Sequence, residues 1–340
     1  MTDSRYSRQE RFDPIGEEGQ ARITNGRVAI IGCGGLGTVI ADILVRAGVG
    51  FVRIVDRDFI ETSNLQRQLL FDEQDIVDGL PKAEAARRKL VRINSTVTID
   101  AHITDVTPGN VEGLIRDVDL VMDGSDNFEL RYLLNDAAVS LDKPWIFGAA
   151  AGSEGMTMTI IPGKTPCLTC LYPEAPSPGV ASTCDTAGVI SPVLHVIAAI
   201  QSTNALKLLS GSFEPDAAGL RVVDIWNDHF QPLGMGGQRR EDCETCAQRH
   251  FAHLDATRGS YTTSLCGRNA IQVSWKESRT VDFPQLQNKL GGLGTVETNA
   301  FMLRFSSPEA RLTVFPDGRT IVEGTDDPTL AREIVSRYIG

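Results

Sequence analysis

Val28-Ala-Ile-Ile-Gly-Cys-Gly-Gly-Leu-Gly37, followed by Phe51-Val-Arg-Ile-Val-Asp56, reads as strand, glycine turn, helix and second strand. Gly32, Gly34 and Gly37 fit G-x-G-x-x-G, with Gly35 between them, and Asp56 closes the second apolar run. Such a turn brings backbone N–H groups at a helix N-terminus to phosphate, while a carboxylate at the next strand end meets ribose hydroxyls. Taken alone, this fingerprint suggests an NAD-dependent oxidoreductase.

Working outward, strand and helix patterns alternate over the first 150 residues, which predicts a Rossmann-like, mostly parallel α/β sheet covered by helices. Helices are expected over 38–47, 81–92 and 127–140, and further strands over 97–103, 118–123 and 144–149. Residues 155–161 alternate in polarity and predict an antiparallel extension of the sheet. Residues 171–192, rich in Pro, Ser, Thr and Gly, predict a loop, and 193–209 an amphipathic helix. A strand over 221–226 and a second short one follow.

A compositional restart places a domain boundary between 248 and 249. The small domain beyond it reads as α+β, with strands over 270–275 and 301–305, a hairpin over 312–323 turning at Pro316-Asp-Gly318, and helices over 283–290 and 328–339.

A net charge of −11 argues against general nucleic-acid binding, which needs a basic face. The chain has no uninterrupted apolar run of membrane-spanning length and no signal-peptide pattern, so no membrane role and a cytoplasmic location are expected. Seven cysteines, an odd count, favour a reducing compartment and metal or catalytic roles. Cys167/Cys170 and Cys243/Cys246 form two CxxC pairs suited to a tetrahedral, structural Zn²⁺ site that ties the segment after Thr165 to the end of the main domain. Two unrelated reduced pairs, or a redox pair, are the other readings. Cys33 reads as a small packing residue.

The stretch Ser63-Asn-Leu-Gln-Arg-Gln68 does not belong to a hydride-transfer site. With Asp58 it lies just past the C-terminal end of the second strand, where ligands bind in open α/β sheets. Arg67 there suits phosphoryl oxygens, although alone it could be an ordinary solvated side chain. Lys82 begins a helix, a poor place for a cation unless an anion is near. Asp126, in Ser125-Asp-Asn127, follows an apolar strand and could hold Mg²⁺ or simply cap the next helix. Arg5-Tyr-Ser-Arg8-Gln9 adds cationic reach from outside the sheet.

Together with Gly32–Gly37, Asp56-Arg-Asp58, Pro81-Lys82 and the CxxC pairs, these segments resemble the MoeB/ThiF adenylyltransferases, relatives of the ubiquitin-activating enzymes, over residues 5–248. The resemblance implies activation by MgATP of the C-terminal Gly-Gly carboxylate of a ubiquitin-fold sulfur carrier protein, for thiamine, molybdopterin or another thiolation pathway. It implies that Gly35 and its neighbours pack on the nucleotide and that Asp56 holds ribose. Ser63, Asn64, Leu65, Gln66, Arg67, Lys82 and Asn127 would line the site, with Asn64, Arg67 and Lys82 on phosphate and Asp126 on Mg²⁺. Arg8 would be an arginine finger delivered by the other subunit of a homodimer. Cys184 corresponds to a cysteine that in parts of the family forms a thioester or acyl disulfide, and in other members is dispensable. A cysteine desulfurase or rhodanese would donate sulfur.

The small domain lacks a rhodanese active-site loop; docking of the carrier or a partner is its expected role, with Cys266 either a sulfur relay or a structural thiol. A nucleotide-binding module that recruits a partner without catalysis is a third reading, opposed by the intact Arg8, Arg67, Lys82 and Asp126 set.

Overall fold

The computed structural model describes residues 5–174, 187–215, 218–233, 239–255, 262–265, 270–273, 281–308 and 310–339. It divides into two compact units, Met1–Arg258 and Gly259–Gly340. The first is built on an eight-stranded sheet: β1 (Arg27–Ile31), β2 (Phe51–Val55), β3 (Thr98–His102), β4 (Leu120–Asp123), β5 (Trp145–Ala151), β6 (Glu154–Ile160), β7 (Leu220–Asp224) and β8 (His229–Leu233). Their spatial order is β3-β2-β1-β4-β5-β6-β7-β8. The strands from β3 to β5 are parallel, and β6, β7 and β8 add antiparallel pairings as expected. The chain runs outward from β1 to β3 and then returns to β4 on the other side of β1, so the switch point lies between β1 and β4.

Local chemistry explains why the turn after β1 has this shape. Gly32 has φ +92°, a left-handed conformation that favours glycine. A Cβ on Gly37 would lie 2.0 Å from the Gly32 carbonyl oxygen, and one on Gly124 would lie 2.5 Å from the same oxygen. The ends of β1 and β4 and the first turn of the helix Gly35–Ala47 therefore meet backbone to backbone.

The helix Ser191–Ser210 packs against the helix Gly35–Ala47, β5 and β6, and Leu194 occupies the space a Cβ on Gly35 would need. It is not the simple amphipathic helix its sequence suggests. Its apolar residues run around the cylinder, and by length and composition it could cross a membrane. It is nevertheless part of the core. Fully buried Gln201 donates from Nε2 to the carbonyl oxygens of Asp123 and Ile146, and Val193, Ile197 and Ala198 are buried beside it.

Beneath the switch point sits a buried ion pair. Asp123 accepts from Arg131 Nε at 3.1 Å, from the Ser125 N–H and hydroxyl, and from the Gly148 N–H. Arg131 Nη2 donates in turn to the carbonyl oxygens of Ser125 and Gly148. One pair thus ties the end of β4, the following loop, β5 and the helix Phe128–Ser140 together.

The second unit carries a six-stranded antiparallel sheet: β9 (Thr262–Leu265), β10 (Ala270–Val273), β11 (Thr295–Thr298), β12 (Leu303–Ser306), β13 (Arg311–Val314) and β14 (Thr320–Glu323). Its order is β11-β12-β13-β14-β10-β9. The helices Phe283–Leu290 and Pro328–Tyr338 bury Leu286, Leu290 and Val335 with Leu303, Phe305 and Val322. The β13–β14 turn falls at Pro316–Gly318 as expected, with Gly318 at φ +83°. Strands β9 and β11 escaped sequence reading; β11 is Thr-Val-Glu-Thr, mostly exposed and without an apolar run.

The two compact units part at Arg258/Gly259, and of the residues beyond the expected boundary at 248/249, those at 249–255 lie with the first unit. His253 stacks on Tyr132 with ring centroids 5.0 Å apart, and its backbone N–H donates to Asp136.

Arg131→Met strands the Asp123 carboxylate in a dry environment. It should lower unfolding stability by about 3–5 kcal/mol in urea denaturation at neutral pH, far more than an exposed ion pair such as Arg116–Glu112 would cost.

Candidate functional site

The crevice beyond the C-terminal ends of β1 and β4 brings together most of the residues singled out by sequence. Asp56 is half-buried at the end of β2; its Oδ2 accepts from the Cys33 N–H at 2.6 Å and its Oδ1 from the Asp58 N–H at 2.7 Å. The carboxylate expected to meet ribose thus also holds the glycine turn against β2. Burial raises its pKa, with Lys82 opposing and Asp58 adding to the rise. Burial likewise pushes the Cys33 thiol up, as suits a packing residue and not a nucleophile.

Lys82 is buried at the first turn of the helix Lys82–Ile93, with Nζ 3.2 Å from Asp58 Oδ2. The anion that a cation at a helix start requires is therefore supplied by the protein itself. Asn64 is buried in the short turn Thr62–Asn64, where its Oδ1 accepts from the Glu61 N–H. Arg67, half-buried, donates from Nη1 to the Ser63 carbonyl at 2.9 Å. Leu65 is half-buried and Gln66 exposed on the same turn.

On the β4 side, Asp126 is exposed and Asn127, not Asp126, caps the helix Phe128–Ser140, accepting from the Leu130 N–H at 2.8 Å. The capping alternative for Asp126 is thereby removed, and Asn127 has a structural duty of its own. Among the described residues only the cysteine cluster brings three or more ligand groups together. Mg²⁺ in the crevice would rest on Asp126 and substrate oxygens, as this ion commonly does.

Sequence reasoning missed two further charged groups near the crevice. Arg57 donates from Nη1 to Asp105 at 2.9 Å and lies 3.8 Å from Asp58. Burial works against its charge, but Asp105 and Asp58 outweigh it, with Asp126 contributing, and its pKa rises. The alternation Asp56-Arg-Asp58 at a strand end was the available signal. The Asp123–Arg131 pair left none, since a buried arginine in a helix has no periodic mark.

Arg8 is not brought to the crevice. Its segment is anchored at the other end of the sheet: Arg5 donates to the Ile93 carbonyl, Asn94 donates to the Tyr6 hydroxyl, and Gln9 donates to the Ala47 carbonyl. Those contacts sit at the C-terminal ends of the two helices whose N-termini, at Gly35 and Lys82, face the crevice. The 13-residue helix Gly35–Ala47 separates the two ends by about 20 Å. Cys184 and Cys266 lie outside the described residues.

The four CxxC cysteines do converge. Their sulfurs all lie within 4.8 Å of one another, with close pairs at 3.4, 3.6 and 3.9 Å. Thiolates about 2.3 Å from a tetrahedral zinc lie about 3.8 Å apart, so the set fits that ion and leaves it no open position. Hydrogen bonds from Cys167 draw Cys170, Cys243 and Cys246 down to about 6, while bonds with the same three hold Cys167 up. Around the cluster Thr169 and Thr245 share a hydrogen bond, Thr245 donates to Asp136, and Asn135 accepts from the Leu168 N–H. Burial brings the Asp136 carboxyl up to about 6.

Comparison with known proteins agrees with this geometry. The model of the ThiF family matches residues 6–245. The sulfur carrier protein ThiS adenylyltransferase of Bacillus subtilis (strain 168) is 42% identical over 337 residues, 99% of each chain, so the likeness runs through the second unit. A sulfur carrier protein adenylyltransferase of Thermus thermophilus is 38% identical over 261 residues, 74% of this chain and 95% of that one. The crystal structure of E. coli MccB with ATP shares the fold, with a TM-score of 0.62 at 24% identity over 72% of this chain and 75% of that one.

Two outcomes are expected. Elemental analysis should find one zinc per polypeptide, and Cys170→Ser with Cys246→Ser should abolish it and lower the thermal midpoint; a metal-free chain of unchanged stability would reject the metal reading. Gly37→Ala should destabilise the fold by several kcal/mol, whereas Gly34→Ala, whose Cβ meets nothing closer than Gln68 Nε2 at 3.8 Å, should leave the thermal midpoint in place and weaken nucleotide binding about tenfold.

Proposed function

Because the chain belongs to the ThiF family, we propose that it uses ATP to adenylate the C-terminal Gly-Gly carboxylate of a ubiquitin-fold sulfur carrier protein. The observation that supports this reading most is that Lys82, through Asp58, stands beside Asp56 and the glycine turn, with Asp126 acting on neighbouring Arg57. An NAD-dependent reaction would give Arg67, Lys82 and Asp126 no part in the chemistry.

In the proposed reaction a carboxylate oxygen of the carrier attacks the α-phosphorus of ATP; the bond to the bridging oxygen breaks and pyrophosphate leaves with its electron pair. Negative charge gathers on the non-bridging oxygens and the departing group. Lys82 and Arg67 would stabilise it, and Asn64 would donate to phosphate. A magnesium ion at Asp126 would neutralise part of the same charge when bound. Asp56 would hold the ribose from the far side of the glycine turn.

Arg8 enters as a finger from a second copy. Its anchoring about 20 Å from its own crevice supports delivery in trans, and with it a homodimer. A structural zinc at Cys167, Cys170, Cys243 and Cys246 would fix the end of the first unit. The sulfur-transfer step, by a desulfurase or rhodanese donor and with or without a covalent stage at Cys184, follows the adenylate. The pathway served is thiamine, molybdopterin or a related thiolation.

ATP–pyrophosphate exchange should depend on a carrier ending in Gly-Gly, and Lys82→Ala or Arg67→Ala should lower it about 10²–10³-fold. Absence of exchange with every Gly-Gly-ended carrier, in a preparation that binds ATP, would reject the assignment. Arg8→Ala and Lys82→Ala should each be inactive alone yet recover exchange when mixed and allowed to re-form dimers. No recovery would place Arg8 outside the reaction. A Cys184→Ala enzyme that still yields normal pathway product would remove that thiol from the obligatory route.

A further inference from the structure

We propose that the cysteine cluster holds residues 249–255 on the first unit through Asp136, so that a bound zinc latches the segment by which the chain leaves that unit and loss of the ion releases it. This goes beyond the adenylation reading and rests on the fit of the four cysteines to zinc.

Tyr132, Asp136 and Ser140 recur every four residues on the helix Phe128–Ser140 and so share one face. Residues 249–255 run along that face from its C-terminal end. Arg249 donates from Nη2 to the Ser140 carbonyl at 3.1 Å and lies 3.5 Å from Asp142. One turn back, Asp136 Oδ2 accepts from the His253 N–H at 2.8 Å and from the Leu254 N–H at 3.4 Å. A further turn back, the His253 ring stacks on Tyr132. Arg249 has φ +53°, which few residues other than glycine adopt, so the docked segment is bent at its start and needs these contacts to stay bent.

The other oxygen of the same carboxylate belongs to the cysteine cluster. Thr245, between Cys243 and Cys246, donates to Asp136 Oδ1 at 3.1 Å. Its hydroxyl lies 3.0 Å from that of Thr169, between Cys167 and Cys170, and Thr169 accepts from Asn135 Nδ2 at 3.1 Å. With the Thr245 proton committed to Asp136, the proton between the two threonines comes from Thr169. Every link therefore runs one way, from Asn135 across both CxxC turns to Asp136. Asn135, Thr245 and Asp136 are at most 3% exposed. A buried carboxylate that loses a donor is destabilised, so the cluster and the segment each keep the other's partner in place.

Packing adds modestly to this joint. Ala252 is buried, but Phe251 and Leu254 are only partly buried against the core, and Arg249, His250 and Asp255 are exposed. A cavity of about 410 Å³ lies beside it, lined among others by Tyr132, Asp136, Thr245 and His253. The segment is thus held chiefly by a few directed bonds, which suits release. Undocking would free up to about 25 Å of chain, at roughly 3.5 Å per extended residue.

Hydrogen-exchange mass spectrometry of the full chain, zinc-loaded and after chelation, tests the coupling. Amides at 249–255 should exchange about tenfold faster or more without the ion, while β1 and β4 stay within about twofold. Zinc-loaded Thr245→Val keeps all four ligands; its 249–255 amides should exchange about three- to tenfold faster with one zinc still bound per chain. By linkage, Tyr132→Leu, which alters the segment's seat and no ligand, should weaken zinc about fivefold in competition with a chelating dye. Exchange at 249–255 that ignores chelation would overturn the proposal, as would acceleration spread equally over the whole sheet. Wild-type behaviour of both variants would do the same. If Thr245→Val does not fold, as judged by circular dichroism, Tyr132→Leu decides alone. A chain that takes up no zinc would overturn the metal reading and this proposal with it, whereas a zinc-loaded chain with an indifferent segment overturns this proposal only.

Discussion

The carbonyl oxygen of Gly32 occupies the space where side chains on Gly37 and Gly124 would stand, and the crevice is built around that contact. It forces β1, β4 and the first helix into a junction closer than any side-chain-bearing backbone could reach. Around it the sheet reverses its strand order, and the loops from β1, β2 and β4 open to one side. The junction needs reinforcement because three glycines contribute no side-chain packing. Leu194 covers it from the helix Ser191–Ser210, and Asp123 with Arg131 braces it from below. Gln201 closes the remaining carbonyls. A site that must admit phosphate cannot fill its own floor with side chains, so its rigidity is supplied from behind.

What the sequence made legible follows from range. The glycine turn, the parallel strands and the CxxC pairs are marked by residues close in sequence or by fixed spacing, and each lies where it was expected. The union of Cys167/Cys170 with Cys243/Cys246 spans a long stretch of chain, yet four cysteines in two matched pairs have few other partners to choose. Contacts that depend on unmatched residues were hidden. Nothing near Lys82 announces Asp58 as its partner, because the pair is made by the fold bringing a helix start to a strand end. Residues 249–255 were assigned to the small domain on composition; Tyr132 and Asp136, more than a hundred positions earlier, hold His253 to the first unit. The polar strand β11 is recruited by its neighbour β12 and not by its own pattern.

The electrostatics of the crevice show why its cations are hard to weigh one at a time. Each has a protein partner: Lys82 has Asp58, Arg57 has Asp105, and Arg67 has the Ser63 carbonyl. Asp56 is taken up by the Cys33 and Asp58 N–H groups. This pairing is what a dry, low-dielectric cleft requires, since an isolated charge there would be lost by a shift of its pKa. On the proposed reading, a triphosphate would therefore exchange partners with residues already satisfied. Its binding energy is a difference between two paired states, smaller than the bare count of positive charges suggests. The carboxylates that hold Lys82 and Arg57 in the resting site also keep them aimed. Removing Asp58 would release Lys82 from its carboxylate while taking away what orients it, and the two effects oppose each other. The acidity beside the glycine turn is thus part of the machinery that keeps an anion site in order before the anion arrives.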